Sequence, residues 1–169
     1  MMNLRWVLKG ALSVRASSAL VLLGLFLFAP AAAQAQQDQG RYVTETAERL
    51  RREIAQGNRD GYVLYNNYFS AGGGWLLQGQ NNWVNLFTIE LEAGRSYRLI
   101  AAGDGDAQDV DLEVRDLDGR RYAIDDSTDP DAVINFTPET TRRYQIRVRL
   151  YSSRQNLPCF CMAIVMVRR

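Results

Sequence analysis

The chain has 169 residues, with 20 basic and 19 acidic side chains, and it contains no histidine. This balance of charge speaks against a general nucleic-acid binder, which carries a strong positive excess. The missing histidine excludes Ser-His-Asp and Cys-His catalysis, and it excludes zinc sites built on imidazole.

The first 35 residues have the pattern of a secretory signal peptide. An apolar run at 19–29, "ALVLLGLFLFA", is followed by Pro30 and a stretch of small residues. The run is shorter than a membrane-spanning helix, which needs about 20 residues. We predict cleavage after Ala35, with cleavage after Ala33 or retention as an anchor as the alternatives. The basic residues that precede the run are Arg5, Lys9 and Arg15.

Cleavage after Ala35 leaves 134 residues, with 17 basic side chains against 19 acidic ones and a net charge of −2. The mature chain is predicted to be secreted or periplasmic, with no membrane span and no nucleic-acid partner. Lys9 is the only lysine, so the mature chain has no lysine for Schiff-base chemistry. Its basic residues are all arginines, which favour fixed ion pairs with carboxylates.

Residues 36–60 are predicted to form an N-terminal amphipathic helix and a linker. Gly57-Asn58 supplies the stop signal of the helix. We expect the helix to cover an edge or face of a sheet, and a partner-binding helix is the alternative. The apolar residues that recur at helical spacing are Val43, Ala47, Leu50 and Ile54.

Residues 61–86 are rich in aromatic side chains that stand beside Asn and Gln. Such side chains can stack on sugars or hold a peptide, so we consider a ligand platform for a protein or polysaccharide. The alternative is that they are strand residues half buried in a core. The candidate platform residues are Tyr65, Tyr68, Trp75 and Trp83.

From Leu86 onward, apolar and polar residues alternate with a period of two, as in "FTIEL", "DVDLEV" and "YQIRVRL". Asp118-Gly119 is a strong hairpin turn. The last apolar run, "CFCMAIVMV", lacks a polar face, which predicts a central strand. Short strands without intervening helices predict that 61–169 form a mainly β domain, an antiparallel β-sandwich of jelly-roll type.

Cys159 and Cys161 are the only cysteines and lie one residue apart. On a strand they share a face, but this spacing suits a disulfide poorly. A strained bridge, two buried thiols and an intermolecular bond are all open, since export favours oxidation. A redox or metal role is less favoured, because two thiolates make an incomplete zinc site.

The stretch from about 83 to 167 resembles the bacterial pre-peptidase C-terminal (PPC) domain family. That family has a hairpin, a "D-x-D-L-x-V/L-x-D-x-x-G" strand and turn, a later Asp, and a strand with Tyr followed by alternating apolar residues. Arg142-Arg143 departs from the pattern, because the family often has Gly before this Tyr. The matching positions here are Ala93-Gly94 with Tyr97, Asp109 to Leu112 with Asp116 and Gly119, Asp125-Asp126, and Tyr144, Ile146 and Val148.

The resemblance implies a secreted jelly-roll-like β-sandwich that is itself non-catalytic and is usually attached to extracellular peptidases. Some relatives bind calcium, collagen or other polymers. No peptidase accompanies the domain in this chain.

We consider three interpretations of the acidic stretch 104–131. Its carboxylates can bind calcium, which takes hard oxygen ligands, although the spacing does not match an EF-hand loop. Two of them can form a hydrolytic pair, as in glycoside hydrolases. They can also cap turns, and Asp109, Asp111 and Glu113 can face Arg147 and Arg149 across the sheet. The candidate calcium ligands are Asp104, Asp106, Asp109, Asp111 and Asp125, with Asp126 as the alternative to the last.

The sequence therefore predicts an exported, non-catalytic β-sandwich that binds a ligand or has a structural role, with calcium as the one candidate cofactor. No catalytic residue is predicted, because no nucleophile motif is present. The alternatives are a carboxylate-based hydrolase that acts on glycans and a disulfide-linked envelope oligomer.

Overall fold

The computed structural model describes residues 40–65 and 71–169. In these residues, a helix (α1) covers 40–59 and nine strands follow it. The predicted signal peptide and Tyr68 lie outside the described residues. The strands are β1 (Tyr62–Leu64), β2 (Ala71–Leu76), β3 (Val84–Leu91), β4 (Tyr97–Gly103), β5 (Ala107–Asp116), β6 (Arg121–Asp125), β7 (Asp131–Phe136), β8 (Arg142–Ser153) and β9 (Cys159–Arg168).

The strands form two antiparallel sheets. In the first, β9 pairs with β4 on one side and with β1 and β2 on the other, and β7 pairs with β4. The second has the order β3-β8-β5-β6. The predicted mainly β, antiparallel, sandwich-like fold with one N-terminal helix is therefore confirmed. Its assignment to the jelly-roll type stays a prediction.

The alternating apolar residues of both sheets meet in one core. Tyr97 of the first sheet and Tyr144 of the second are fully buried there. Strand β9 lies between other strands of its sheet, as its unbroken apolar run predicts. Other buried core residues are Leu99, Leu112, Val114, Ile146, Val148 and Val165.

Strand β9 has two apolar faces because helix α1 covers its outer face. Leu50 of the helix is buried in a second apolar cluster, on the outer face of the first sheet, with Ile164 and Met166 of β9. Thr46 Oγ1 also donates a hydrogen bond to the Phe160 carbonyl at 2.9 Å. The predicted role of the helix as the cover of a sheet face is therefore confirmed. Within the described residues, no helix is long and apolar enough to cross a membrane.

The glycines of β2 permit close packing at the sheet edge. A Cβ atom on Gly72 would lie 2.6 Å from the ring of Phe87, and one on Gly73 would lie 2.6 Å from Met162. Both distances are too short for a real side chain. The glycine run therefore lets β2 lie close to β3 and to β9.

Candidate functional site

The site is built on β5, whose two faces differ in chemistry but are both buried. Val110, Leu112 and Val114 point into the core. The residues between them point to the outer face of the second sheet. Asp109, Asp111 and Glu113 are nevertheless only 6%, 1% and 0% exposed. Buried carboxylates require partners, because their desolvation is costly.

Arginines of the neighbouring strand β8 supply two of these partners. The antiparallel register sets Asp111 opposite Arg149 and Glu113 opposite Arg147. Arg149 Nε lies 2.6 Å from Asp111 Oδ2, and Arg147 Nη1 lies 2.6 Å from Glu113 Oε1. These cross-strand pairs are those that the structural interpretation of the acids predicts.

The loop between β2 and β3 fixes the arginines from the other side. Arg147 Nη2 donates to the Trp83 carbonyl at 3.1 Å, and Arg149 Nη1 donates to the Gln80 carbonyl. The Arg149 guanidinium also lies 4.6 Å from the Trp83 ring centre and 5.0 Å from that of Tyr151. Arg149 is thus held between two aromatic rings and a carboxylate.

A cavity of about 270 Å³ opens beside Arg149. We call it the acidic cavity, because its lining carries three carboxylates and one guanidinium. Its lining residues are Asp109, Asp111, Asp126, Thr128, Arg149 and Tyr151. Since Arg149 already pairs with Asp111, the negative charges of Asp109 and Asp126 are in excess.

Asp109 was expected to face an arginine as Asp111 and Glu113 do, but it lies opposite Ser152 and forms no ion pair with a described arginine. The outer face of β8 presents Arg147, Arg149 and then Tyr151, and a β-bulge at Asp109 shifts the register there. Asp109 Oδ1 is buried and has no hydrogen-bond partner among the described residues. β-bulges often occur next to functional sites, because they redirect a side chain.

The surroundings of Asp109 favour its protonated form. Burial, followed by the neighbouring charge of Asp111, raises the pKa of Asp109 to about 6, although Arg149 acts in the opposite direction. Burial also raises the pKa of Asp111, and the bonds from Arg149 oppose this. A perturbed acid in a cleft is a physical marker of a functional site.

Asp104 and Asp106 of the predicted calcium set have structural partners. Asp104 Oδ2 accepts from the Phe160 backbone N–H at 2.6 Å, and its Oδ1 accepts from the Asp106 N–H at 3.0 Å. Asp106 Oδ1 lies 3.5 Å from Arg154 Nη1. These contacts fix the turn between β4 and β5 against β9.

Asp125 has a structural role as well. Its Oδ1 accepts from Ser127 N–H and Oγ–H, and its Oδ2 accepts from the Val133 N–H at 2.8 Å. Burial alone would raise its pKa, but these bonds stabilise the carboxylate and hold the pKa below its ordinary value. Asp125 therefore connects the end of β6 to β7.

Of the five predicted calcium ligands, the structure brings Asp109 and Asp111 into one cavity, together with Asp126. It places Asp104, Asp106 and Asp125 in contacts outside the lining of this cavity. Over residues 40–65 and 71–169, no group of three or more Asp, Glu or Cys residues is arranged to hold a metal ion.

The predicted aromatic platform is divided between separate places. Tyr65 is buried in the core, 5.3 Å from the ring of Tyr97. Trp75 lies on the first sheet, where it contacts the rings of Tyr42 and Phe160. Trp83 stacks on Arg149 near the second sheet. Of the platform candidates that the structure describes, Trp83 alone therefore lies near the acidic cavity.

Both cysteines of β9 are free and fully buried. Burial, aided by the charge of Asp104, raises the pKa of Cys159 to about 12. Burial likewise raises the pKa of Cys161 far above its ordinary value. The thiols are therefore protonated and inaccessible, and a disulfide-linked oligomer would first require β9 to become exposed.

The sequence analysis did not single out Tyr151 and Thr128 as site residues. Tyr151 continues the outward alternation of β8 after Arg147 and Arg149, so the period-two pattern contains this signal. Thr128 lies in the loop between β6 and β7, where no periodicity indicates a direction.

No protein-family model matches the chain, and no curated protein matches it. The resemblance to the PPC family therefore stays a prediction from the residues quoted above.

Proposed function

We propose that the chain is an exported, non-catalytic β-sandwich binding module, similar to PPC domains, whose acidic cavity binds a cationic group. The observation that carries this proposal is Asp109, a buried carboxylate with an unpartnered oxygen that lines an open cavity. The signal-peptide pattern of residues 1–35 supports export.

A cation is the ligand class that the charges favour. An uncompensated buried carboxylate lowers stability, and an opposite charge within about 4–6 Å offsets that cost. Asp126 is exposed and lies in the same lining, so its charge adds to that of Asp109. Arg149 cannot neutralise both, because it is bound to Asp111.

Calcium is the first ligand to test. Asp109, Asp111 and Asp126 offer the hard carboxylate oxygens that calcium prefers. The fit is partial, since calcium takes about 6–8 oxygen ligands and these residues do not already form a three-carboxylate group. Bound calcium would neutralise the excess charge and stabilise the fold.

Thermal unfolding with free calcium and with a chelator tests this proposal. A ligand that binds only the folded state increases the free energy of unfolding by mass action, by about 2.7 kcal/mol at a hundredfold excess over Kd. The midpoint of thermal unfolding rises as a result. We expect Asp126→Asn to weaken the calcium effect. Asp118→Asn, in the distant hairpin turn, is the matched control and should retain it. An unchanged wild-type midpoint at millimolar calcium would remove calcium as the ligand.

The second candidate is a carboxylate-based hydrolase, which the raised pKa of Asp109 favours. Asp109 and Asp111 line the same cavity, as the two acids of a hydrolytic carboxylate pair do. The pairing of Asp111 with Arg149 speaks for the binding module instead. Glycan cleavage that Asp109→Asn abolishes would establish the hydrolase, and stable glycan substrates would exclude it.

A further inference from the structure

We infer that the acidic cavity receives an arginine from the β5–β6 hairpin of a second copy of the chain, so that copies associate head to tail. This inference rests on the proposed cation site and names its partner. The hairpin tip consists of residues 117–120, which connect β5 to β6, together with Arg121, the first residue of β6.

The cavity and the hairpin tip lie at opposite ends of the same pair of strands. Strand β5 runs from Asp109, in the cavity, to Asp116, at the start of the turn. Seven residues of extended strand span about 23 Å. Strand β6 returns antiparallel, which places Asp125 opposite Leu112 and brings Asp126 back toward the cavity. One copy therefore cannot place its own hairpin tip in its own cavity.

The hairpin tip carries a net positive charge, because its two arginines outnumber its one acid, Asp118. Arg120 and Arg121 are exposed, and neither forms an ion pair with another described residue. Asp116, the buried acid beside them, is already bound by Arg142, by the Tyr122 hydroxyl and by the Arg120 backbone N–H. The Arg120 guanidinium lies 5.0 Å from the ring centre of Tyr122, and Glu139 lines the same cavity as both arginines. Neither arginine forms a salt bridge with a described carboxylate, so both can pair with carboxylates of a partner.

The shape of the tip suits insertion into a concave surface. Gly119 has a φ of +89°, a left-handed conformation that makes the turn tight. Leu117, at the same tip, is 59% exposed. Docking would remove its apolar surface from water, which is favourable. The tip also borders a cavity of about 380 Å³ with Tyr122 and Phe136 in its lining, which could accommodate side chains of the partner.

The acidic cavity has the complementary charge. A guanidinium presents five N–H donors in a fixed plane and binds carboxylates through two parallel bonds. Asp126 is exposed at the cavity, and Asp129 lies close enough to add to the negative potential at Asp109. The excess carboxylate charge of one copy would be neutralised by the tip of the next.

Because donor and acceptor surfaces differ, the contact is heterologous. Such contacts produce closed rings or open chains of copies. The association is expected to weaken with salt, because exposed charges at the contact are screened at high ionic strength.

Sedimentation velocity of the purified protein at about 20 mM and about 500 mM salt is the test. Wild type should show a mass that rises with concentration at low salt and approaches the monomer at high salt. Asp126→Arg should block the cavity, and Arg120→Gln with Arg121→Gln should remove the charge of the tip. Each is expected to weaken association about tenfold or more. Arg52→Glu, on the exposed side of α1, changes the net charge by as much as the tip variant does, and this matched control should associate like wild type.

The decisive experiment mixes the two blocked variants. The cavity variant retains its tip and the tip variant retains its cavity, so an equal mixture should form dimers that do not extend. Monomeric wild type at low salt, or a mixture that stays monomeric beside an associating wild type, overturns the inference. A calcium-dependent midpoint in a strictly monomeric protein would preserve the proposed cation site and reject the second copy as its partner. Loss of both would reject both.

Discussion

The two faces of β5 show two ways of burying a strand. On the inner face, Leu112 and its apolar neighbours are removed from water by the core of the sandwich. On the outer face, Asp111 and Glu113 are equally buried, but arginines of β8 compensate their charges. Burial of the inner face is favourable by itself, whereas burial of the outer face is tolerable only while each charge has its partner.

Asp109 is the position at which the outer face of β5 no longer has an arginine opposite it. The next outward residue of β8 is Tyr151 in place of a third arginine, and the bulge shifts the register. The same face that stabilises Asp111 thus leaves Asp109 without an arginine bound to it, with only the nearby charge of Arg149 to offset its own. The negative charge of Asp109, where this pairing stops, is the basis of the proposed cation site.

The largest expected effect is on the inner face. Leu112→Ala removes a fully buried side chain and leaves a cavity, so it should lower the free energy of unfolding by about 2–5 kcal/mol. Urea or guanidinium denaturation measures this change. Leu117→Ala, at the exposed hairpin tip, is the control and should stay within about 0.5 kcal/mol of wild type. Equal losses at both sites would contradict the assignment of the core.

The next-largest effect tests whether the buried Glu113 on the outer face depends on its ion pair with Arg147. Arg147→Met leaves Glu113 buried with only Arg115 Nε, at 2.9 Å, so we expect a loss of about 3 kcal/mol in unfolding free energy. Adding Glu113→Leu to that variant removes the uncompensated charge and should recover most of the loss. If the double variant is less stable than Arg147→Met alone, the buried charge is not the cause of the cost.

The smallest expected effect concerns β9, another strand with two buried faces. Its thiols, Cys159 and Cys161, should resist alkylation in the folded protein near pH 8 and react fully in denaturant, because both are buried with raised pKa values. Mass spectrometry counts the modified thiols. Rapid labelling of the native protein, or a dimer band that disappears on reduction, would show that β9 is accessible.

Much of this architecture could be predicted from periodicity. The alternation in β5 and β8 indicated which residues share a face and that acids of β5 could pair with Arg147 and Arg149. The register that pairs Asp111 with Arg149 and Glu113 with Arg147 was not predicted. The unbroken apolar run of β9 indicated a central strand, and the helical spacing of residues such as Leu50 indicated a cover for it. These features depend on local pattern, which a single sequence contains.

The composition of the site depends on long-range geometry and was predicted only in part. Asp125 ends β6 and Asp126 lies in the loop after it, where no periodicity indicates a direction. The sequence therefore did not show that Asp125 bonds Ser127 and Val133 while Asp126 lines the cavity. The aromatic residues looked like one platform because they are close in sequence. Trp75 and Trp83 nevertheless belong to different surroundings, since β2 and β3 lie in different sheets.

The central claim is that Asp109 carries an uncompensated charge, and the stability of Asp109→Asn against pH tests it most directly. Below about pH 4 the Asp109 carboxyl is protonated in both folded and unfolded chains. Above its folded pKa of about 6 it is charged in both, and the folded state alone bears the cost of a buried charge. Wild type should therefore lose stability from this group as pH rises from about 4 to 6.

With a chelator present, Asp109→Asn should be more stable than wild type at pH 7.5, by up to about 3 kcal/mol, and should lose this advantage near pH 4. Denaturant titrations of both proteins at pH 4, 5, 6 and 7.5 provide the comparison. A stability difference that does not change with pH, or an Asn variant that is the less stable protein at pH 7.5, would contradict the account.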